Sequence, residues 1–146
     1  MCFGCGLENQ AGLQIRFFTE APGVARAEVV LHDHHQGYPG IAHGGVVATM
    51  LDEVMGRAPL AGDSRRLMFT AKMEVRYRLP VPLHIPLTLR GWIEKDRGRL
   101  VTAAAELLLP DGTVAAEATG TLTAIPAEQL HEMDTEAAGW RVYPLE

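Results

Sequence analysis

The feature that most constrains the fold is a thirteen-residue alternation from Leu67 to Leu79. Phe69, Ala71, Met73, Val75, Tyr77 and Leu79 alternate with Thr70, Lys72, Glu74, Arg76 and Arg78. A period of two sustained over that length predicts a long strand with one face buried and the other wet. Pro80 and Pro82 end it, because proline has no N–H for a ladder. Three more strands follow. Leu87, Leu89, Gly91 and Ile93 form one inward face, Leu100–Leu109 is a second apolar run, and Val114, Ala116, Ala118, Gly120 and Leu122 form a third. Asp96-Arg97-Gly98-Arg99 and Pro110-Asp111-Gly112 have turn chemistry. Two shorter strands are expected near Leu13–Thr19 and Val24–Leu31. Short turns between long strands imply antiparallel neighbours.

One convincing long helix interrupts this pattern, from about Gly45 to Ala58. Val47, Met50, Leu51, Val54 and Met55 recur at helical spacing, and Pro59 ends it. A weaker helix is expected over Ala127–Glu132. One apolar helix and about six strands can both bury their faces only if the sheet curls around the helix. The expectation is an α+β fold, a single domain over residues 1–146, with the outer face of the sheet left for a partner.

Bulk properties narrow the function. The 146 residues are 47% hydrophobic and 21% charged, a globular profile. A net charge of −5 with no basic block argues against nucleic acid as a partner. No apolar run reaches the roughly 18 residues of a membrane span. The opening Met1-Cys2-Phe3-Gly4 lacks the charged and apolar regions of a signal peptide. With only two cysteines, the cytoplasm is the expected compartment.

The chemistry is concentrated in His35-Gln36-Gly37-Tyr38-Pro39-Gly40-Ile41-Ala42-His43-Gly44-Gly45 and the helix that follows. A helix start leaves N–H groups without intrahelical partners and favours negative charge, which suits a developing oxyanion. The plainer alternative is that Gly44-Gly45 only permits tight helix–sheet contact. Of two adjacent acids, Glu53 has an i, i+4 partner in Arg57 and reads as a surface ion pair. Asp52 projects near the apolar stripe, where a carboxylate costs free energy unless paired or employed. Gly45 and Asp52 are seven residues apart, about 10 Å along a helix. An N–H donor and a carboxylate acting on one carbonyl must both lie within roughly 3–4 Å of it. If both act, two antiparallel copies of the helix are needed, hence a homodimer with two composite sites.

These residues resemble a known family. His43-Gly44-Gly45, followed nine residues after the histidine by Asp52 in Leu51-Asp52-Glu53, is similar to the hotdog-fold thioesterases of the phenylacetic-acid-pathway (PaaI-like) type. The opening Cys2-Phe3-Gly4-Cys5-Gly6-Leu7-Glu8-Asn9-Gln10-Ala11-Gly12-Leu13 and the strand end Tyr77-Arg78-Leu79-Pro80-Val81-Pro82 also resemble members of it. The resemblance implies a hotdog fold, a long central helix wrapped by a curved antiparallel sheet, and hydrolysis of an acyl-CoA thioester without a cofactor. It implies that the Gly44 amide polarises the carbonyl and that Gly45 and His43 shape the pocket. Asp52 of the other subunit then acts as general base or as nucleophile; both routes stay open.

Thr70 falls where some relatives carry a Ser or Thr that orients the acid. Alternation puts it on the polar strand face, so it reaches the site only at an edge or across the dimer seam. Some relatives have an Asn six residues before the His; here the position is Gly37, with Gln36 beside it as a substitute amide or a plain loop residue. Arg76 and Arg78, with Arg65, Arg66 and Arg90, are candidates to meet CoA phosphates, or are ordinary surface residues. Whether dimers pair into tetramers is open.

Other readings remain. The chain is alternatively a non-catalytic acyl/CoA-binding hotdog module, or a hydratase on the same fold, although the segment such enzymes use is not seen. His32 and His34, expected on one side of a strand, lack a complete metal-ligand set, so no metal is expected there. Cys2-x-x-Cys5 is half of a zinc site; two copies in a dimer would supply four thiolates, and free structural thiols are the alternative.

Overall fold

The computed structural model describes residues 1–133, 135, 140 and 141. Six strands form one antiparallel sheet: β1 (Arg16–Ala21), β2 (Val24–Val30), β3 (Met68–Tyr77), β4 (Pro86–Asp96), β5 (Leu100–Leu108) and β6 (Val114–Ala124), in the order β1-β2-β4-β5-β6-β3. Helix α1 (Gly44–Arg57) packs against β2 to β6, and a short helix, α2, covers Ala127–Glu132. This is the curved sheet around one helix that the hotdog resemblance implied. Among the described residues no helix is long and apolar enough to cross a membrane.

The core is the meeting of α1 with the sheet. Val47, Met50, Leu51, Val54 and Met55, the five helix residues expected inside, are all buried. They meet Leu87 and Leu89 of β4, Val101, Ala105 and Leu107 of β5, and Ala116, Ala118 and Leu122 of β6. Two glycines let the helix sit unusually low. A Cβ at Gly91 would lie 2.4 Å from the Val54 carbonyl oxygen, and one at Gly120 would lie 2.7 Å from both the Lys72 carbonyl oxygen and the Met55 methyl. The expected turns also form, with Gly98 at φ 75° and Gly112 at φ 85°, a region only glycine adopts freely.

Strand β3 departs from the simple alternation. It is an edge strand, paired with β6 on one side only. Its register with β6 shifts between Thr70 and Lys72: Thr70 lies opposite Leu122, Lys72 opposite Thr121 and Met73 opposite Gly120. Ala71 is therefore the extra residue of a β-bulge, and the phase reverses across it. Beyond the bulge, Met73, Val75 and Tyr77 share the side of Gly120, Ala118 and Ala116, as expected. Before it, Met68 and Thr70 face the helix, while Phe69 lies opposite Thr123 on the outer side and is 44% exposed. The expectation that Phe69 and Ala71 share a buried face with Met73 is thus corrected; both are exposed. Tyr77 is 53% exposed and Leu79 is exposed as well.

The histidine run also differs. Asp33–His35 is a 3-10 turn, so His32 and His34 do not alternate along a strand; their rings stack with centroids 6.1 Å apart. His35 is buried, its Nδ1 accepts the His32 N–H at 3.0 Å, and its carbonyl accepts the His43 N–H at 2.9 Å.

Candidate active site at the open sheet edge

The segment before α1 is built to deliver one free amide. His43 is the N-cap, extended at φ −60° and ψ 135°, and its ring Nδ1 accepts the Gly45 N–H at 2.9 Å. That acceptor role places the hydrogen of a neutral ring on Nε2. Gly45 lacks a side chain where a Cβ would lie 3.1 Å from His43 Nδ1, so the glycine lets the ring fold over the helix start. The Tyr77 hydroxyl at the end of β3 donates to the Gly44 carbonyl at 2.8 Å. The peptide unit between Gly44 and Gly45 is therefore held at both its oxygen and its nitrogen. Val46 and Val47 both donate to the His43 carbonyl. The Gly44 N–H has no acceptor among the described residues. Of the two amides singled out in the sequence, Gly45 is engaged and Gly44 is available, at the positive end of the helix dipole.

Asp52 lies two turns further along α1 and is half-buried. The Thr70 hydroxyl donates to Asp52 Oδ1 at 2.7 Å, within one chain. The bulge at Ala71 explains this contact, because it turns Thr70 to the helix side of an edge strand. Among the described residues no Lys, Arg or His pairs with Asp52. It keeps its second oxygen uncommitted. Glu53, by contrast, pairs with Arg57 at 3.1 Å, as the spacing predicted, but with side chains only 21% and 14% exposed. That pair is not on the open surface.

The two chemical groups lie along one border. Tyr77 meets Gly44 and Thr70 meets Asp52, so β3 runs antiparallel to α1, with the amide near one end and the carboxylate near the other. The outer border of β3 has no strand partner among the described residues. Tyr77 was expected only as a core residue; its polar tip was the signal that it had a partner to reach.

The remaining predicted residues sit elsewhere. Gln36 Oε1 accepts the Gly40 N–H at 2.7 Å and closes the loop before His43, so its oxygen serves the loop. Arg76 lies on the face of β3 turned away from α1, opposite Glu117, and Arg78, one residue past the strand, is bonded to Glu117 at 2.6 Å. That bond holds the Glu117 carboxyl below its ordinary range. Arg66 is bound by Asp96, whose carboxyl is pulled down to about 2, and Arg90 by Glu20. The structure does not bring these arginines to Asp52 or Gly44. No ion pair engages Arg65 among the described residues.

The chain is similar in sequence and fold to known thioesterases. The acyl-coenzyme A thioesterase THEM4 of Mus musculus is 28% identical over 66% of this chain and 41% of its own length. THEM4 of Bos taurus is 30% identical over 64% of this chain and 38% of its own. The matched region thus spans about two fifths of these curated relatives. Among solved structures, the thioesterase superfamily protein RHA08564 superposes with a TM-score of 0.75 at 36% identity, over 81% of this chain and 60% of that one. The Streptococcus mutans protein smu.793, solved with acetyl CoA, gives 0.70 at 19% identity, over 76% and 88%. The E. coli PaaI protein gives 0.72 at 14%, over 78% and 81%. These last two share the fold. The model of the thioesterase superfamily matches residues 39–116, more than half of the chain and the whole of α1 with its approach loop, and the chain belongs to that superfamily.

Proposed function

We propose that the chain hydrolyses an acyl-CoA thioester to a free acid and CoA, at two composite sites in a homodimer. The observation that carries this reading is the pairing of an unoccupied Gly44 N–H with a cation-free, Thr70-bonded Asp52 on one open sheet border. Its extension to the phenylacetic-acid-pathway type rests on the His43-Gly44-Gly45 to Asp52 spacing.

Within one chain the amide and the carboxylate are about 12 Å apart along α1, too far to act on one carbonyl. Antiparallel pairing of β3 with β3 of a second copy solves this. If Thr70 of one copy lies opposite Tyr77 of the other, the Asp52 end of each subunit meets the Gly44 end of its partner. A ten-residue unpaired edge carrying exposed Phe69 and Tyr77 supports such pairing, since an open edge is a template for another strand.

The chemistry follows from the charges. The Gly44 N–H donates to the thioester oxygen and stabilises the negative charge that grows there. The Asp52 carboxylate, oriented by Thr70, takes a proton from water as water attacks the carbonyl carbon. The thioester C–S bond then breaks, the CoA sulfur leaves as thiolate and is reprotonated. Alternatively the carboxylate attacks directly, and water opens the resulting anhydride.

Thioester cleavage across a panel of acyl-CoAs, with Asp52→Asn beside the wild type and sedimentation of both, tests this. The variant is expected to lose at least about a hundredfold in kcat while remaining dimeric. Full activity in the variant, or a wild type that is monomeric while active, overturns the mechanism. A wild type that binds acyl-CoA without turnover makes the protein a binding module instead.

A further inference from the structure

The N-terminal turn packs onto the flank of α1 away from β3, and it brings three metal-binding side chains together. One ligand atom each from Cys2, Cys5 and Glu53 lies within 4.8 Å of the other two. The Cys2-Phe3-Gly4-Cys5 segment is a closed turn, with the Gly6 N–H bonded to the Cys2 carbonyl at 3.0 Å. It is strapped down by the Leu13 N–H on the Phe3 carbonyl at 2.7 Å and the Ile15 N–H on the Gly4 carbonyl at 2.9 Å. Gly4 is buried, and a Cβ there would lie 2.3 Å from Glu53 Cδ. The glycine is what allows the Glu53 carboxyl to come up beneath the two sulfurs.

From this arrangement we propose that Cys2, Cys5 and Glu53 bind one zinc ion per chain. Zinc takes thiolate sulfur at about 2.3 Å and carboxylate oxygen at about 2.1 Å in tetrahedral geometry, which sets an S···O edge of about 3.6 Å. Cys2 Sγ and Glu53 Oε1 are 3.9 Å apart, so that edge needs only a small adjustment, and the other two edges are within 4.8 Å. The two oxygens of Glu53 divide the work. Oε1 faces Cys2, and Oε2 is held by Arg57 at 3.1 Å. Arg57 also donates to Cys5 Sγ at 3.0 Å, giving both a ligand oxygen and a ligand sulfur a supporting hydrogen bond. Arg57 itself lies over the rings of Phe17 and Trp140, at 4.9 and 4.3 Å from their centroids. Two thiolates and a carboxylate carry three negative charges; a divalent ion and the guanidinium offset all three. Soft sulfur ligands select zinc over magnesium or calcium, and a water molecule completes the fourth position.

This differs from the four-thiolate site that two chains would build around Cys2 and Cys5, because Glu53 of the same chain supplies the third donor. Stoichiometry separates the two. Chain purified in reductant, stripped with chelator and titrated with zinc is expected to hold one ion per chain. Its cobalt-substituted form is expected to show thiolate-to-cobalt charge-transfer absorption. Glu53→Gln is expected to weaken zinc at least about tenfold, and Cys2→Ser or Cys5→Ser at least about a hundredfold, with circular dichroism confirming that each variant folds. One ion per two chains, no zinc above background, or affinity unchanged in the cysteine variants overturns the site. Metal content rather than turnover is the readout, so the outcome is independent of whether Asp52 hydrolyses thioesters.

Discussion

Asp52 and Glu53 are neighbours in sequence, yet they serve opposite flanks of α1. Asp52 turns toward β3, accepts one hydroxyl from Thr70 and meets no cation among the described residues. Glu53 turns toward the N-terminal turn, is bound by Arg57 and lies under Cys2 and Gly4. A carboxylate tied to a guanidinium has its charge offset and one oxygen committed, whereas one oriented only by a hydroxyl keeps its charge unpaired. On the readings proposed above, the β3 flank is the one arranged for reaction, and the N-terminal flank the one that holds the chain together.

Changes on the β3 flank should strike turnover and changes on the other should strike stability. The largest effect is expected at the helix start. Gly44→Pro removes the free N–H at the first helical position, where proline is tolerated, and His43 already has the extended backbone that a following proline requires. Its kcat is expected to fall by about 10²–10³ with the fold intact by circular dichroism, the loss of one oxyanion donor. Wild-type kcat in this variant would remove the amide from the mechanism. Next is Thr70→Ala: a hydrogen bond to a charged group is worth about 1.5 kcal/mol, so kcat should drop about tenfold, with Thr70→Ser near wild type. If Thr70→Ala instead lowers the denaturation midpoint and spares kcat, the division between flanks fails on the β3 side.

Glu53→Gln should show the reverse pattern in urea denaturation, a loss of about 1–2 kcal/mol from breaking a half-buried ion pair. The smallest effect comes from His35, which lies on neither flank. Burial, with the His34 and His32 rings beside it, pushes its pKa below the ordinary 6.5; nearby, His84 is bonded to Asp33. The unfolded chain takes up this proton first as pH falls, so the contribution is full above pH 6.5 and is lost as pH drops through the interval down to the lowered folded value. The unfolding free energy from urea denaturation should decline below pH 6.5, by at most about 1.4 kcal/mol per pH unit, and His35→Gln should flatten that slope.

How far the sequence carried these conclusions depended on the range of the interaction. The inward face of α1 was legible residue by residue, because helical spacing alone decides which side chains share a stripe. The strands β4, β5 and β6 were legible for the same local reason. The bulge at Ala71 was not, since an extra residue exists only relative to the register of β6, forty or more positions away. Thr70 consequently seemed to face the wrong way, although its hydroxyl reaches Asp52 within one chain. Tyr77 was mistaken for simple core because alternation reports the side of a strand and says nothing about where a hydroxyl ends. Glu53 and Arg57 were paired correctly by spacing, but their cover by residues 2–5 is a contact across fifty positions that no local pattern encodes.

The seating of α1 on Gly91 and Gly120 has a consequence for substrate shape. At Gly91 and Gly120 the helix backbone and the Met55 side chain rest almost directly on strand backbone, so at those two points no room is left beneath the helix for a fatty tail. On the proposed reading, a tail delivered to Asp52 would lie clear of those contacts, along the open border of β3. Chain-length preference would then be written in the few side chains that a second copy brings to the seam, leaving the densest part of the molecule free of that duty.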